Sequence, residues 1–217
     1  MAQAPQVWYR AGVANFPTHK RRMRTLKLAA AALAACLALT ACKESPDTSK
    51  PAAAAKEPVS IAAIETEAKG FTVGTPMSVR AVYVFFDPQC PHCATLWQTA
   101  KPLKSQAKFI WIPVALIGKT SEGQGAAILA AKDPVAAMDE HEESMSARRG
   151  GISAMGELDA QRALVVKNTQ LMTRFGFESV PSIVAKNAQS GALITHEGSM
   201  ATPELAAFLG LQPPAGQ

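Results

Sequence analysis

The sequence has few aromatic residues, few cysteines, no internal repeat, and no acidic residue before Cys42. Aromatics are 6% of 217 residues while hydrophobic content is 48%, so one domain with a mainly aliphatic core is expected. The formal charge of +5 would suit nucleic acid, but its distribution excludes that partner class. Six basic residues (Arg10, Lys20, Arg21, Arg22, Arg24 and Lys27) precede Cys42, which leaves 16 basic against 17 acidic residues in the remainder. A near-neutral body offers no electrostatic footprint for a polyanion. No apolar run is long enough for a comfortable membrane span; the one from Leu28 to Thr40 falls short of the roughly 20 residues a spanning helix needs.

That run has another reading. Met23, Arg24 and Lys27 form a short positive segment, and Leu28 to Thr40 has the length of the apolar part of a signal peptide. It ends in Leu39-Thr40-Ala41-Cys42, which resembles a bacterial lipoprotein box. The resemblance implies cleavage before Cys42, lipid on its thiol, and anchoring to a membrane. A plain signal peptide cleaved nearby is the alternative, and Cys42 would then be a free thiol or lost. Residues 1–22 read as a spurious or extended N-terminus, 23–41 as the signal peptide, and 42–58 as a flexible tether. The stretch "KESPDTSKPAAAAKEP" lacks a core pattern and spans roughly 20–25 Å if flexible.

Residues 59–217 read as the folded domain. "VSIAAIET" and "GFTVG" suggest short strands around a turn at Lys69-Gly70, and "SVRAVYVFF" a buried strand stopped by Asp87 and Pro88. A helix follows from Pro91 to about Leu103, then the strand "KFIWIPVALIG". Two helices follow, the second with Asp133 as N-cap and Pro134 in its first turn. A longer helix stops at Gly176, and a strand, a hairpin strand and a terminal helix close the chain. This order predicts an α/β sheet of few strands with a helical insertion at about 120–176.

The cysteine count narrows the chemistry. Cys36 lies in the apolar leader and Cys42 in the lipoprotein box, so the domain keeps only Cys90 and Cys93. A bridge across so short a loop constrains the unfolded chain little, which argues against a staple. Zinc needs four ligands, or three and water. His141, in the acidic run "DEHEE", reads as part of a solvated helix face, and His196 lies in a hairpin strand, both isolated; no metal is expected. Redox chemistry fits better. Cys90 falls at a strand-to-helix junction, where unpaired N–H groups and the helix dipole favour a negative sulfur. His92 adds positive charge within the same turn, and both effects lower a thiol pKa. Cys90 is therefore the candidate nucleophile and the more buried Cys93 the resolving thiol, with Pro91 and His92 shaping the thiolate's surroundings.

Cys90-Pro91-His92-Cys93 after "VYVFFDPQ" and before "ATLW" resembles the thioredoxin-fold thiol–disulfide oxidoreductases. "IPVALIGKTSEGQGAAILAAKDPVAAMDEHE" is similar to the segment that follows the active site in the DsbC/DsbG group, so the resemblance covers about Ser78 to Leu209. It implies a thioredoxin-like α/β fold with a helical insertion, no cofactor, and disulfide exchange with exported proteins in the periplasm. It also implies a cis Pro181 which, with Val180, lines the substrate groove beside the cysteines. Val180 and the Pro-His pair match DsbA-like members rather than the DsbC/DsbG pattern. Residues 59–77 are too short for the dimerisation module of that group, so a monomer is expected. A DsbB- or DsbD-like membrane partner would reset the dithiol. Two alternatives stand: a DsbG-like reductase or isomerase that protects single cysteines from sulfenylation, and a surface lipoprotein that uses the fold only to bind a partner. Lys43 after Cys42 favours the outer membrane by the same resemblance.

Overall fold

A computed structural model describes residues 56–214. The leader, Cys36, Cys42 and most of the tether lie outside the described residues. The described chain starts with Lys56, whose ammonium bonds the Gly176 carbonyl at 3.3 Å and Glu178 at 2.9 Å.

Five strands form one sheet in the order β1 (Phe71–Gly74), β3 (Lys108–Pro113), β2 (Ala81–Phe86), β4 (Ser182–Lys186), β5 (Leu193–Glu197). β2 is central, parallel to β3 and antiparallel to β4, while β1 and β5 pair antiparallel at the edges. Being covered on both faces, β2 is apolar almost throughout, and its side chains divide by the two-residue period of a strand. Val82, Val84 and Phe86 face a layer made by α2 (Pro91–Ala100) and α6 (Thr202–Leu209), whereas Tyr83 and Phe85 face α1 (Ile61–Glu67) and α5 (Asp159–Arg174). Between β3 and α5 lie α3 (Lys119–Ala130) and α4 (Pro134–Ser146), with Asp133 capping α4 through two backbone N–H bonds.

One expectation is corrected. "IAAIETE" is a helix rather than a strand: the Ser60 hydroxyl accepts from the Ala63 N–H at 3.3 Å, and Ile61 and Ile64 share one helical face toward the core. Over so few residues an apolar pair three apart and a strand alternation are hard to separate. The core is mainly aliphatic, as expected, but its aromatics gather in one place. Phe71, Phe86, Trp97 and Trp111 pack edge to face, with Trp97 and Trp111 centroids 4.9 Å apart. The aromatics are few but concentrated, and α2, which Cys90 caps, is clamped to the sheet through Trp97.

Candidate functional site

β2 leads directly into the site. Its last residue, Phe86, is followed by Asp87, which is fully buried. The Asp87 carboxylate accepts from the Gln89 N–H at 2.8 Å and, through its other oxygen, from Leu116 and Ile117 N–H at 2.9 and 2.8 Å. It ties the turn before α2 to the loop after β3. The Cys90 N–H donates back to the Asp87 carbonyl at 3.0 Å. Cys90 is thereby fixed as the residue that caps α2, with extended backbone (φ −93°, ψ 114°) and Pro91 opening the helix.

Both thiols are free. Cys93 is fully buried and Cys90 is 7% exposed. The two sulfurs have opposite acidities for stated reasons. The Cys93 thiol donates a hydrogen bond to the Cys90 sulfur; the Cys93 and His92 backbone N–H groups and the His92 charge add to it, against the opposing effect of burial, and the Cys90 pKa falls to about 6. Burial, then the bond given to Cys90 and that sulfur's charge, push the Cys93 thiol up, so it keeps its proton. A thiolate-favouring cysteine thus sits beside a protonated partner at a helix N-terminus. His92 and Pro91 are exposed at the rim.

The Val180–Pro181 peptide bond is cis. The Cys90 thiol, when protonated, donates to the Val180 carbonyl at 3.4 Å, so residues 90, 93, 180 and 181 converge. The loop before the cis bond is held from β5. One Glu197 oxygen accepts from the N–H groups of Glu178 and Ser179 and from the Ser179 hydroxyl, at 3.0, 2.8 and 2.8 Å. Among the described residues no group of three or more His, Cys, Asp or Glu side chains is arranged to hold a metal.

The reading of His141 is also corrected. It is fully buried, not solvated. Its Nδ1 accepts from the Ile152 N–H at 3.3 Å, so Nε2 carries the hydrogen and donates to the Pro88 carbonyl at 2.7 Å. Burial lowers its pKa, which keeps the imidazole neutral. Gln124 supports the same turn, accepting from the Gln89 amide and donating to the Gly150 and Ile152 carbonyls at 2.7 and 3.2 Å. Sequence reasoning missed Asp87, His141, Gln124 and Glu197 as parts of the site. For His141 the signal was there: Met138, His141, Glu142 and Met145 stand at i, i+3, i+4 and i+7, one helical face.

A model of the thioredoxin-like domain family matches residues 75–212. The chain is 34% identical over 134 residues to the thiol:disulfide interchange protein DsbG of Pseudomonas aeruginosa, covering 60% of this chain and 51% of that protein. It is 34% identical over 104 residues to DsbG of Escherichia coli, covering 47% and 42%. The chain therefore spans about half the length of these curated relatives or less. Among solved structures, ScsC of Proteus mirabilis in a compact conformation superimposes with a TM-score of 0.56 at 16% identity, over 73% of this chain and 81% of that one, a likeness of fold.

Proposed function

Since the chain belongs to the thioredoxin-like domain family, we propose that it is a periplasmic thiol–disulfide oxidoreductase that exchanges disulfides with exported proteins through Cys90 and Cys93. One observation carries the reading: the Cys90 sulfur, ionised near neutral pH, lies against protonated Cys93 at the start of α2 and beside the Val180 backbone. In the oxidising direction a substrate thiolate attacks Cys90 of the Cys90–Cys93 disulfide, and Cys93 leaves and takes up a proton. A second substrate thiol then displaces Cys90, which departs as the thiolate. Two electrons move from substrate to dithiol. A membrane partner of DsbB or DsbD type would return the dithiol to its working state.

His92 and Pro91 belong in this scheme to the thiolate's surroundings, and Val180 and Pro181 to the groove that receives the substrate strand. Lipid on Cys42 would hold a monomeric domain at the membrane, the outer one by preference. The identity to the two DsbG proteins favours a second direction, in which a reduced dithiol rescues oxidised single cysteines.

The test is dithiol exchange on a model peptide. Cys90→Ser abolishes it and Cys93→Ser accumulates mixed disulfides; a Cys90→Ser chain that exchanges at the parent rate ends the proposal. A redox titration then assigns direction: a potential near the roughly −120 mV of DsbA marks an oxidase, and one near the roughly −270 mV of thioredoxin a reductant.

A further inference from the structure

Beside Cys90 a cleft of about 380 Å³ opens between α2 and α4. Its walls include Pro91, Ala94 and Gln98 from α2 and Met145 from α4, and Glu142 also lines it. Glu142 is 96% buried by its 4% residual exposure. Burial and the charges of Cys90, Lys101 and Asp139 act on it, with no hydrogen bond among them. The neighbouring cation is already engaged, because the Lys101 ammonium sits 2.5 Å from Asp139. Among the described residues no hydrogen bond holds the carboxylate, and its oxygens are not cut off from solvent, so it faces the cleft as a largely desolvated acid that a cationic group could pair with. Here it shares a cleft with a sulfur that is itself anionic.

We propose that this cleft is a side-chain subsite for the polypeptide undergoing exchange, and that Glu142 selects a lysine or arginine next to the reacting cysteine. The inference rests on the exchange reading above. The apolar walls take the methylene stem of such a side chain, and its cationic head meets both Glu142 and the Cys90 thiolate. A neutral or acidic side chain leaves the carboxylate unpaired or adds a third negative charge. The groups facing Glu142 that titrate or carry charge are Cys90, at the α2 cap, Lys101, just past the end of α2, and Asp139, on its own helix.

Burial raises the Glu142 carboxyl to about 7, so it is a carboxylate above that pH and a neutral acid below it. Selection for a cation is present above pH ~7 and fades as pH falls.

The experiment uses the full reduced chain and short peptides with one cysteine carried as a mixed disulfide with thionitrobenzoate. Lysine, norleucine or glutamate is placed at one or the other flanking position. Cys90 attacks the peptide sulfur and thionitrobenzoate leaves; Cys93 then closes the Cys90–Cys93 disulfide, and its proton goes to the released peptide thiolate. At one flank and pH 8, kcat/KM for lysine exceeds that for norleucine by about tenfold, with glutamate slowest. The lysine-to-norleucine ratio falls toward one at pH 5.5 on the unaltered chain, and toward one at pH 8 in Glu142→Gln. Exchange that proceeds at equal rates for all peptides overturns the subsite and leaves the exchange reading intact. A lysine preference that survives Glu142→Gln, or that is independent of pH, also overturns it. No exchange with any peptide overturns both.

Discussion

Cys93→Ala tests where the acidity of Cys90 comes from. The fall from the ordinary thiol value of 9.0 to about 6 amounts to about 4 kcal/mol in favour of the thiolate. The largest contribution is the hydrogen bond from the Cys93 thiol; backbone N–H groups of Cys93 and His92 and the His92 charge supply less, and burial works against them. A hydrogen bond to a charged acceptor contributes about 1.5–3 kcal/mol net. Removing the donor while keeping the helix should therefore move the Cys90 midpoint up to roughly 7–8, leaving the helix terminus and His92 to hold the rest. The assay is the pH dependence of iodoacetamide alkylation on the reduced chain, read by mass spectrometry at the Cys90 peptide so that Cys36 and Cys42 do not contribute. The midpoint is the readout rather than the rate, because intrinsic nucleophilicity rises as the thiol becomes less acidic. A parent midpoint near 9 refutes the electrostatic account altogether. A midpoint that stays near 6 in Cys93→Ala refutes the role given to the Cys93 donor.

Two further substitutions test the scaffold under the site. Asp87→Ala strands three backbone N–H donors that now lie 2.8–2.9 Å from its carboxylate; urea unfolding should show a loss of about 3 kcal/mol or more, with Asp87→Asn losing less because it keeps an acceptor, and a loss below ~1 kcal/mol for Ala contradicts the argument. Gly151→Ala meets a left-handed backbone (φ 86°) and puts a Cβ 2.5 Å from His141 Cε1 and 2.6 Å from Gln124 Nε2. It should cost more than ~2 kcal/mol, whereas Gly150→Ala, with similar φ and open space around its Cβ, carries backbone strain alone; equal melting temperatures for the two variants contradict this.

The parts of the molecule that could be read from the sequence share a physical property: their signal is local. "SVRAVYVFF" is β-branched and aromatic and stops at Asp-Pro, and Pro91 suits only the first turn of a helix, so the position of Cys90 at a strand-to-helix junction follows from a dozen adjacent residues. Asp133-Pro134 marks the start of α4 in the same way. What escaped depends on long-range placement. Asp87 looks like a strand stop, and its second role appears only when the Leu116–Ile117 loop folds over it. Glu197, 18 residues beyond Ser179, fixes the loop before the cis bond only because β4 and β5 pair. In "DEHEE" the charge of the neighbours masked a helical face whose period includes Met138 and Met145. The low aromatic count correctly implied a mainly aliphatic core but not where the few aromatics sit: composition gives an average, while Trp97 and Trp111 contribute through being placed together.

The insertion is best understood from two adjacent residues of α4. Successive positions on a helix point about 100° apart, so one helix can serve two surroundings at once. His141 turns inward and, as a neutral donor, holds the Pro88 carbonyl two residues before Cys90. Glu142 turns to the cleft that Cys90 also lines. A protonated His141 would have to give up its bond from the Ile152 N–H, and burial lowers its pKa, so its surroundings favour the one neutral tautomer that holds the turn. The same helix therefore separates two requirements that a single residue could not meet: an uncharged brace for the turn before Cys90, and a titrating carboxyl on the cleft that Cys90 lines. Loosening the first, by His141→Ala for instance, would shift the second as well, because α4 carries both.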